Sequence, residues 1–257
     1  MNLKLCTPIY FASYDNILNK NSFDEKDKKT WPYQMYLLKK VRQLRDSLTN
    51  DSYEETLINF ILMSESCTLY PYVCPEGRVT IGAGFALTNK NNLQFTDFGI
   101  TVLSQINVDI KNLKQNLLKQ IEEKQKIITE EDSKKILSFI LKQFRGEIIH
   151  FMPFFEKLPL NIQISLQSLY YNRHTFIKGG MLLSLKNFIE TKKDAFLEDV
   201  LFRICRNCNC GAPYINTKAK IFASYWKGIQ YRRYREMIMS SNLNLDKKIF
   251  FGLEQEL

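Results

Sequence analysis

Glu65-Ser66-Cys67-Thr68-Leu69-Tyr70-Pro71-Tyr72-Val73-Cys74-Pro75-Glu76-Gly77-Arg78-Val79-Thr80-Ile81-Gly82-Ala83-Gly84 is unlike the sequence on either side of it. Thr68 to Val73 is rich in β-branched and aromatic residues, Pro75-Glu76-Gly77 reads as a turn, and Arg78 to Gly84 reads as a strand running into flexible backbone. The stretch predicts a small β-hairpin, the one sheet in a chain whose other periodicity is helical. On its N-terminal side Leu57, Ile58, Ile61 and Leu62 make one apolar helical stripe, and Glu65 continues it at the helix end. A carboxyl in that position is partly desolvated, the setting in which a general acid keeps its proton. Eight residues separate Glu65 from Cys74, and five separate Cys74 from Thr80. With a hairpin between them, this spacing places three polar side chains around one cleft. A glycosidase needs such a set: a proton donor for the leaving oxygen, and a base or nucleophile on the other side of the sugar.

Working outward, Thr30-Trp31-Pro32 reads as an N-cap followed by a first-turn proline. Leu37, Val41, Leu44 and Leu48 then recur at helical spacing, with Lys39, Lys40, Arg42 and Arg45 on other faces. This is an amphipathic basic helix that docks on its own domain. Beyond the hairpin, Leu103, Ile106, Ile110, Leu113 and Leu117 keep a three-four spacing, which predicts one long helix extending to Glu123. Thr129-Glu130-Glu131-Asp132 resembles a capping box opening a helix through Phe144. Leu158-Pro159 introduces a helix to Tyr171, and residues 181–204 and 217–240 supply at least two more. There is no internal repeat. The expected class is α+β: a small lobe with a β-hairpin, joined by a long helix to a larger all-helical lobe. Residues 1–53 form an N-terminal extension. Residues 54–257 form the main domain, with the small lobe at about 54–100 and the helical lobe at about 101–257.

The composition, 45% hydrophobic and 25% charged over 257 residues, excludes disordered, collagen-like and small disulfide-scaffold classes. The longest largely apolar stretches, such as Leu57 to Met63 and Met181 to Leu185, fall far short of the roughly 20 residues of a membrane span. Thr7, Pro8 and Ser13 break the apolar run at the start, so no signal peptide is expected and synthesis is placed in the cytoplasm. The six cysteines are too unevenly placed for a disulfide framework, which predicts mostly free thiols. Cys205, Cys208 and Cys210 lack a fourth ligand nearby, and His150 and His174 are the only histidines, so no metal is expected. His174 reads as a surface residue. The net charge of +9 is concentrated: residues 201–240 set eight basic side chains against Glu236 alone, residues 1–50 set nine basic against five acidic, and the rest of the chain is close to neutral. Such charge suits a polyanion: nucleic acid, an acidic membrane face, or a bacterial wall.

The order Glu65, Cys74, Thr80, with Tyr72 ahead of the second position and the ending Thr80-Ile81-Gly82-Ala83-Gly84, resembles the active-site signature of the phage-type lysozymes. That family writes the second position as Asp or sometimes Cys. Leu166-Gln167-Ser168-Leu169-Tyr170-Tyr171-Asn172 is similar to the family's helix ending in Asn, and Gly228 to Glu236 is similar to its C-terminal Gly-Leu-x-x-Arg-Arg-x-x-Glu segment. The resemblance covers about Glu54 to about Ser240, with the middle aligning by helical pattern alone.

The resemblance implies a lysozyme-like fold and a peptidoglycan muramidase that cuts between N-acetylmuramic acid and N-acetylglucosamine, with no cofactor. Glu65 would be the general acid, Cys74 the base or nucleophile, and Thr80 a holder of water or substrate. Arg232 or Arg233 would pair with the catalytic glutamate, and Tyr72, Gly82, Gly84 and Asn172 would bind substrate or support the site. Two departures stand out. Cys74 replaces the usual Asp, and the Asp that the pesticin-like branch carries six residues after its threonine is Ala86 here. Phe85 replaces a histidine. A thiol acts as base or nucleophile only as its thiolate, a few per cent of an ordinary cysteine at neutral pH and more beside Arg or Lys. The implied settings are a phage endolysin released through a holin, or an antibacterial toxin delivered by a secretion apparatus and met by an immunity protein. Either acts in the periplasm or cell wall. The alternative is a weak or inactive lysozyme-fold protein that binds the wall or a protein partner. Arg232-Arg233-Tyr234-Arg235 comes with no base-reading module, so nucleic acid is not expected; cleft lining and solvated charge account for it.

Overall fold

Thr49 and Ser52 cap each other ahead of the first helix of the hairpin region: the Thr49 amide donates to Ser52 Oγ at 3.0 Å, and the Ser52 amide to Thr49 Oγ1 at 3.2 Å. The computed structural model describes residues 31–65, 67–74, 76–90, 92–172, 177, 179–206, 232–233, 235–242 and 245. Its elements are α1 (Trp31–Asp46), α2 (Tyr53–Leu62), β1 (Thr68–Val73), β2 (Val79–Gly82), β3 (Phe85–Ala86), α3 (Asp97–Leu103), α4 (Ile110–Glu122), α5 (Glu130–Phe151), α6 (Leu160–Asn172), α7 (Gly180–Thr191) and α8 (Asp194–Arg206), with helical backbone again at 235–240. This is mostly helix with one small antiparallel sheet, an α+β chain. Thr30, His174, Cys208, Cys210 and residues 207–231 lie outside the described residues. Cys205 falls in the last turn of α8.

The chain divides into two compact units, one running from Glu54 to His150 and the other formed by Met1–Tyr53 together with Phe151–Leu257. The helix read as part of an N-terminal extension therefore belongs to the same unit as the C-terminal helices. The unit that holds the sheet runs on past residue 100 through most of α5.

In the Glu54–His150 unit, α2 opens with Glu54 and Glu55 at the positive end of its dipole and buries Leu57, Phe60 and Ile61. The sheet has three strands in the order β1-β2-β3, one more than expected. The third strand is only two residues long, Ile81 facing Phe85 and Thr80 facing Ala86, which is too short for a periodicity to reveal. β1 is an edge strand and carries Pro71, which has no amide hydrogen to donate. Its pairing with β2 shifts register between Thr68 and Tyr72, where that proline sits. The Leu69 carbonyl accepts from the amides of Ile127 and Ile128, which ties β1 to the approach to α5.

The expected long helix over 103–123 is two helices. Asp109 caps the second, accepting from the Asn112 amide at 2.9 Å, and Ser104–Asp109 turns the chain between them. Leu103, Ile106, Leu113 and Leu117 are all buried, so the three-four spacing marks a core shared by two helices. The long helix of the molecule is α5, whose start is the expected cap: the Asp132 amide donates to Thr129 Oγ1 and the Thr129 amide to Asp132 Oδ2, each at 3.0 Å.

In the other unit α1 buries Leu37, Leu38 and Val41, and with them Arg45. The sequence put Arg45 on an outer face, but its side chain is 6% exposed. Nη1 donates to the Ile238 carbonyl at 3.1 Å and to Ser241 Oγ at 2.7 Å, while Nη2 pairs with Asp46 at 2.7 Å. A guanidinium beside the last carbonyls of a helix complements its negative end. Replacing Arg45 by Met keeps the bulk and removes the donors. We expect a loss of about 2 kcal/mol in urea unfolding; wild-type stability would show that α1 is not anchored through this side chain.

Candidate active site

Glu65 sits one turn beyond α2, and its amide still donates to the Ile61 carbonyl at 2.9 Å. The backbone then enters β1, so the carboxyl is carried from the end of a rigid helix toward the hairpin. It comes to rest against Gly84: a Cβ built on that glycine would lie 3.3 Å from Glu65 Oε2. Gly84 has φ +87°, a conformation that favours glycine, and its bare α-carbon leaves room for the carboxyl.

The register of the hairpin decides which side chains face that carboxyl. Val73 pairs with Val79 and Tyr72 with Thr80, and one step further the Cys74 amide donates to the Arg78 carbonyl at 2.9 Å. Directly opposed residues in an antiparallel pair share a face, and alternate residues along a strand share one too. Tyr72, Cys74, Arg78 and Thr80 therefore occupy one face of the hairpin. The Tyr72 phenol is raised above its ordinary value of 10.0, first by burial and then by the negative charge of Glu65, with smaller contributions from Cys74 and Tyr70. Glu65 and Cys74 are thus both within electrostatic reach of Tyr72.

Thr80 is 2% exposed, and its hydroxyl donates to the Arg78 carbonyl at 3.2 Å. With its proton committed there, Thr80 offers lone pairs to a neighbour. Cys74 is half-buried and free, and Cys67 at the other end of β1 is free and exposed. Gly82 has a packing role: a Cβ there would meet Ser133 Oγ at 2.9 Å, so the sheet can lie against the start of α5 only with glycine at this position.

The remaining expected residues gather in the other unit. Arg232 Nε pairs with Glu236 Oε1 at 3.2 Å, and its Nη2 donates to the Ser168 carbonyl at 2.9 Å. Arg233 pairs with Glu236 Oε2 and donates to Asn172 Oδ1. Ser168 Oγ donates to Glu236 Oε1 at 2.8 Å. The reading of this basic stretch as solvated charge is corrected here: Arg232, Arg233 and Arg235 are 3%, 0% and 4% exposed. Their interior position is possible because α6 turns Ser165 and Ser168 inward and Glu236 supplies the carboxylate. The sequence reading did not single out Glu236 or Ser168. The signal for Glu236 was its spacing, three and four residues after the arginines, which places all three on one helical face.

A groove of about 570 Å³ also runs between α2 and α5 in the Glu54–His150 unit. Within it Glu54 accepts from Ser138 and lies 3.3 Å from Lys142, and the Ser138 hydrogen bond holds its carboxyl below the usual range. Among the described residues no three His, Cys, Asp or Glu side chains gather as a metal site, and no helix is long and apolar enough to cross a membrane.

No protein-family model matches the chain, and no curated protein matches it significantly.

Two measurements check this geometry. Stability contributed by a neutral Tyr72 is complete below about pH 10, the value of an unfolded tyrosine, and is lost as pH rises through the higher folded value. Taking Tyr72 as the phenolate signal lost in Tyr72→Phe, its midpoint should fall in Glu65→Gln, which removes a negative neighbour; an unmoved midpoint would separate the two side chains. Gly84→Ala should cost about 1–2 kcal/mol through its positive φ, read as a lowered Tm, and should displace the Glu65 carboxyl.

Proposed function

We propose that this protein is a peptidoglycan muramidase with a lysozyme-like fold, hydrolysing the bond between N-acetylmuramic acid and N-acetylglucosamine. The observation that supports the reading is that Tyr72, Cys74 and Thr80 share one hairpin face while the carboxyl of Glu65, from a helix end, lies against Gly84 within electrostatic reach of Tyr72. Those residues stand in the order and spacing of the phage-type lysozyme signature. Glu65, held against Gly84 near the half-buried phenol of Tyr72, is the group that gives its proton to the bridging oxygen as the sugar departs. A water attacks the anomeric carbon, losing its proton to the Cys74 thiolate, with the Thr80 oxygen accepting its second hydrogen. Glu65 ends ionised and Cys74 protonated, and exchange of one proton through solvent resets both.

Action in the periplasm or wall belongs to the same proposal, with release through a holin or delivery by a secretion apparatus. The substitution of Cys74 for the usual aspartate favours one second reading. In it the thiol is inert, and the lysozyme fold binds the wall or a protein partner without cutting.

Purified protein should clear peptidoglycan and generate new reducing ends, and Glu65→Gln should lower the rate by at least about 100-fold while leaving unfolding unchanged. An unaffected Glu65→Gln would dispose of the assignment. In a Cys67→Ser background, which removes the other free thiol of the hairpin region, Cys74→Ser or alkylation should reduce activity at least as much as Thr80→Ala, and Cys74→Asp should preserve it. Full activity in Cys74→Ser would make the thiol a bystander. Pelleting with the wall and no new reducing ends would select the second reading.

A further inference from the structure

Arg78 is the one cation on the hairpin face that carries Tyr72, Cys74 and Thr80, and neither the sequence signature nor the chemistry above uses it. Its main-chain carbonyl accepts from both the Cys74 amide and the Thr80 hydroxyl. Its guanidinium is not. Glu76 Oε2 lies 3.8 Å from Nε, beyond hydrogen-bonding distance, and both side chains are well exposed, at 41% and 64%. An exposed pair of this kind holds a side chain weakly. The Nε hydrogen is covered by protein yet donates to nothing. A guanidinium has five donors arranged as a fork, and none of those on Arg78 forms a hydrogen bond within the described structure. A planar fork of unused donors, presented by a fixed strand position next to Cys74, matches a carboxylate.

We infer that Arg78 is a specificity-determining residue that binds a carboxylate carried on the lactyl arm of N-acetylmuramic acid, either the lactyl carboxylate itself or the first free carboxylate of an attached peptide. The inference rests on the muramidase reading for the identity of the glycan. Uncharged N-acetylglucosamine polymers offer no partner to this fork and are the poorer ligands. Because the contact is made to an arm of the sugar and not to the scissile bond, it acts on binding before it acts on turnover.

The test compares the full-length protein with Arg78→Gln and Arg78→Lys on three glycans: one stripped of peptide with its lactyl carboxylate free, the same glycan methyl-esterified, and one bearing peptides. Wild type should show a KM about tenfold lower for the free acid than for the ester, with kcat little changed. Arg78→Gln should erase that difference, and Arg78→Lys should restore part of it, since it returns the charge without the fork. A preference for the peptide-bearing glycan that survives only while its carboxylates are free identifies the peptide as the source; equal preference for the stripped acid identifies the lactyl group. Equal KM values for acid and ester in wild type would overturn the inference, and so would an Arg78→Gln defect of the same size on both. The wild-type comparison stands even where a variant folds poorly. Should the protein cut neither glycan, direct binding of the same pair decides. An Arg78-dependent preference for the acid keeps the recognition and removes the hydrolase reading, and no preference removes the recognition.

Discussion

A slip of one residue between β1 and β2 would turn Tyr72 and Cys74 to the face opposite Arg78 and Thr80, because side chains alternate along a strand. The candidate chemistry therefore depends on a register, and several features fix it. Val79 and Ile81 are buried on the opposite face of β2, where their packing favours one register. A Cβ at Gly82 would lie 2.9 Å from Ser133 Oγ and at φ +61°, so any other residue there would force a shift and strain the backbone. The backbone pair between Cys74 and Arg78 closes the ladder at the turn. The irregularity at Pro71 is confined to the far end of β1, away from the pairs that carry the polar side chains. The helix end contributes Glu65 and the sheet contributes its neighbours, so the two local structures must both form before the cluster exists.

The unit built from Met1–Tyr53 and Phe151–Leu257 meets a different constraint. It buries Arg232, Arg233 and Glu236 together, which is costly for charged groups unless each is paired and hydrogen-bonded. Ser165, Ser168 and Asn172 on α6 supply the extra partners. Removing Glu236 alone would leave two guanidinium groups in the interior with one carboxylate fewer. Such networks give poor returns in raw stability compared with an apolar core. They are strict about alignment, however, and here they fix how α6 lies against the helical backbone at 232–233 and 235–240.

What was legible in the sequence was what short-range chemistry dictates. The Thr129 cap, the helix following Pro159 and the strands on either side of Pro75-Glu76-Gly77 all rest on signals within a few residues. The order of Glu65, Cys74 and Thr80 was readable because it is linear. The break at 104–109 was hidden because Leu103, Ile106, Ile110, Leu113 and Leu117 keep helical spacing across it; one aspartate, Asp109, does the capping and is easily read as a solvated residue. β3 was hidden by its length and by glycines that look like loop. Arg45 was assigned to solvent, and Arg232 and Arg233 to a cleft, to solvent or to pairing with the catalytic glutamate; the oxygens of Ser168, Asn172, Ile238 and Ser241 that admit them lie far away in sequence, although Glu236 is only three and four residues from the two arginines. Arg78 left no signal at all until its pairing with Cys74 placed it beside the other polar side chains.

The contact between Arg45 and Ser241 spans 196 positions of chain. During synthesis α1 leaves the ribosome long before the residues that receive its guanidinium exist, whereas the segment from Glu54 to His150 contains its own core and can condense as soon as it emerges. The Arg45–Ser241 contact can therefore form only after translation has passed residue 241. Loop closure over such a distance is entropically slow, so maturation is timed by the reach of the chain itself.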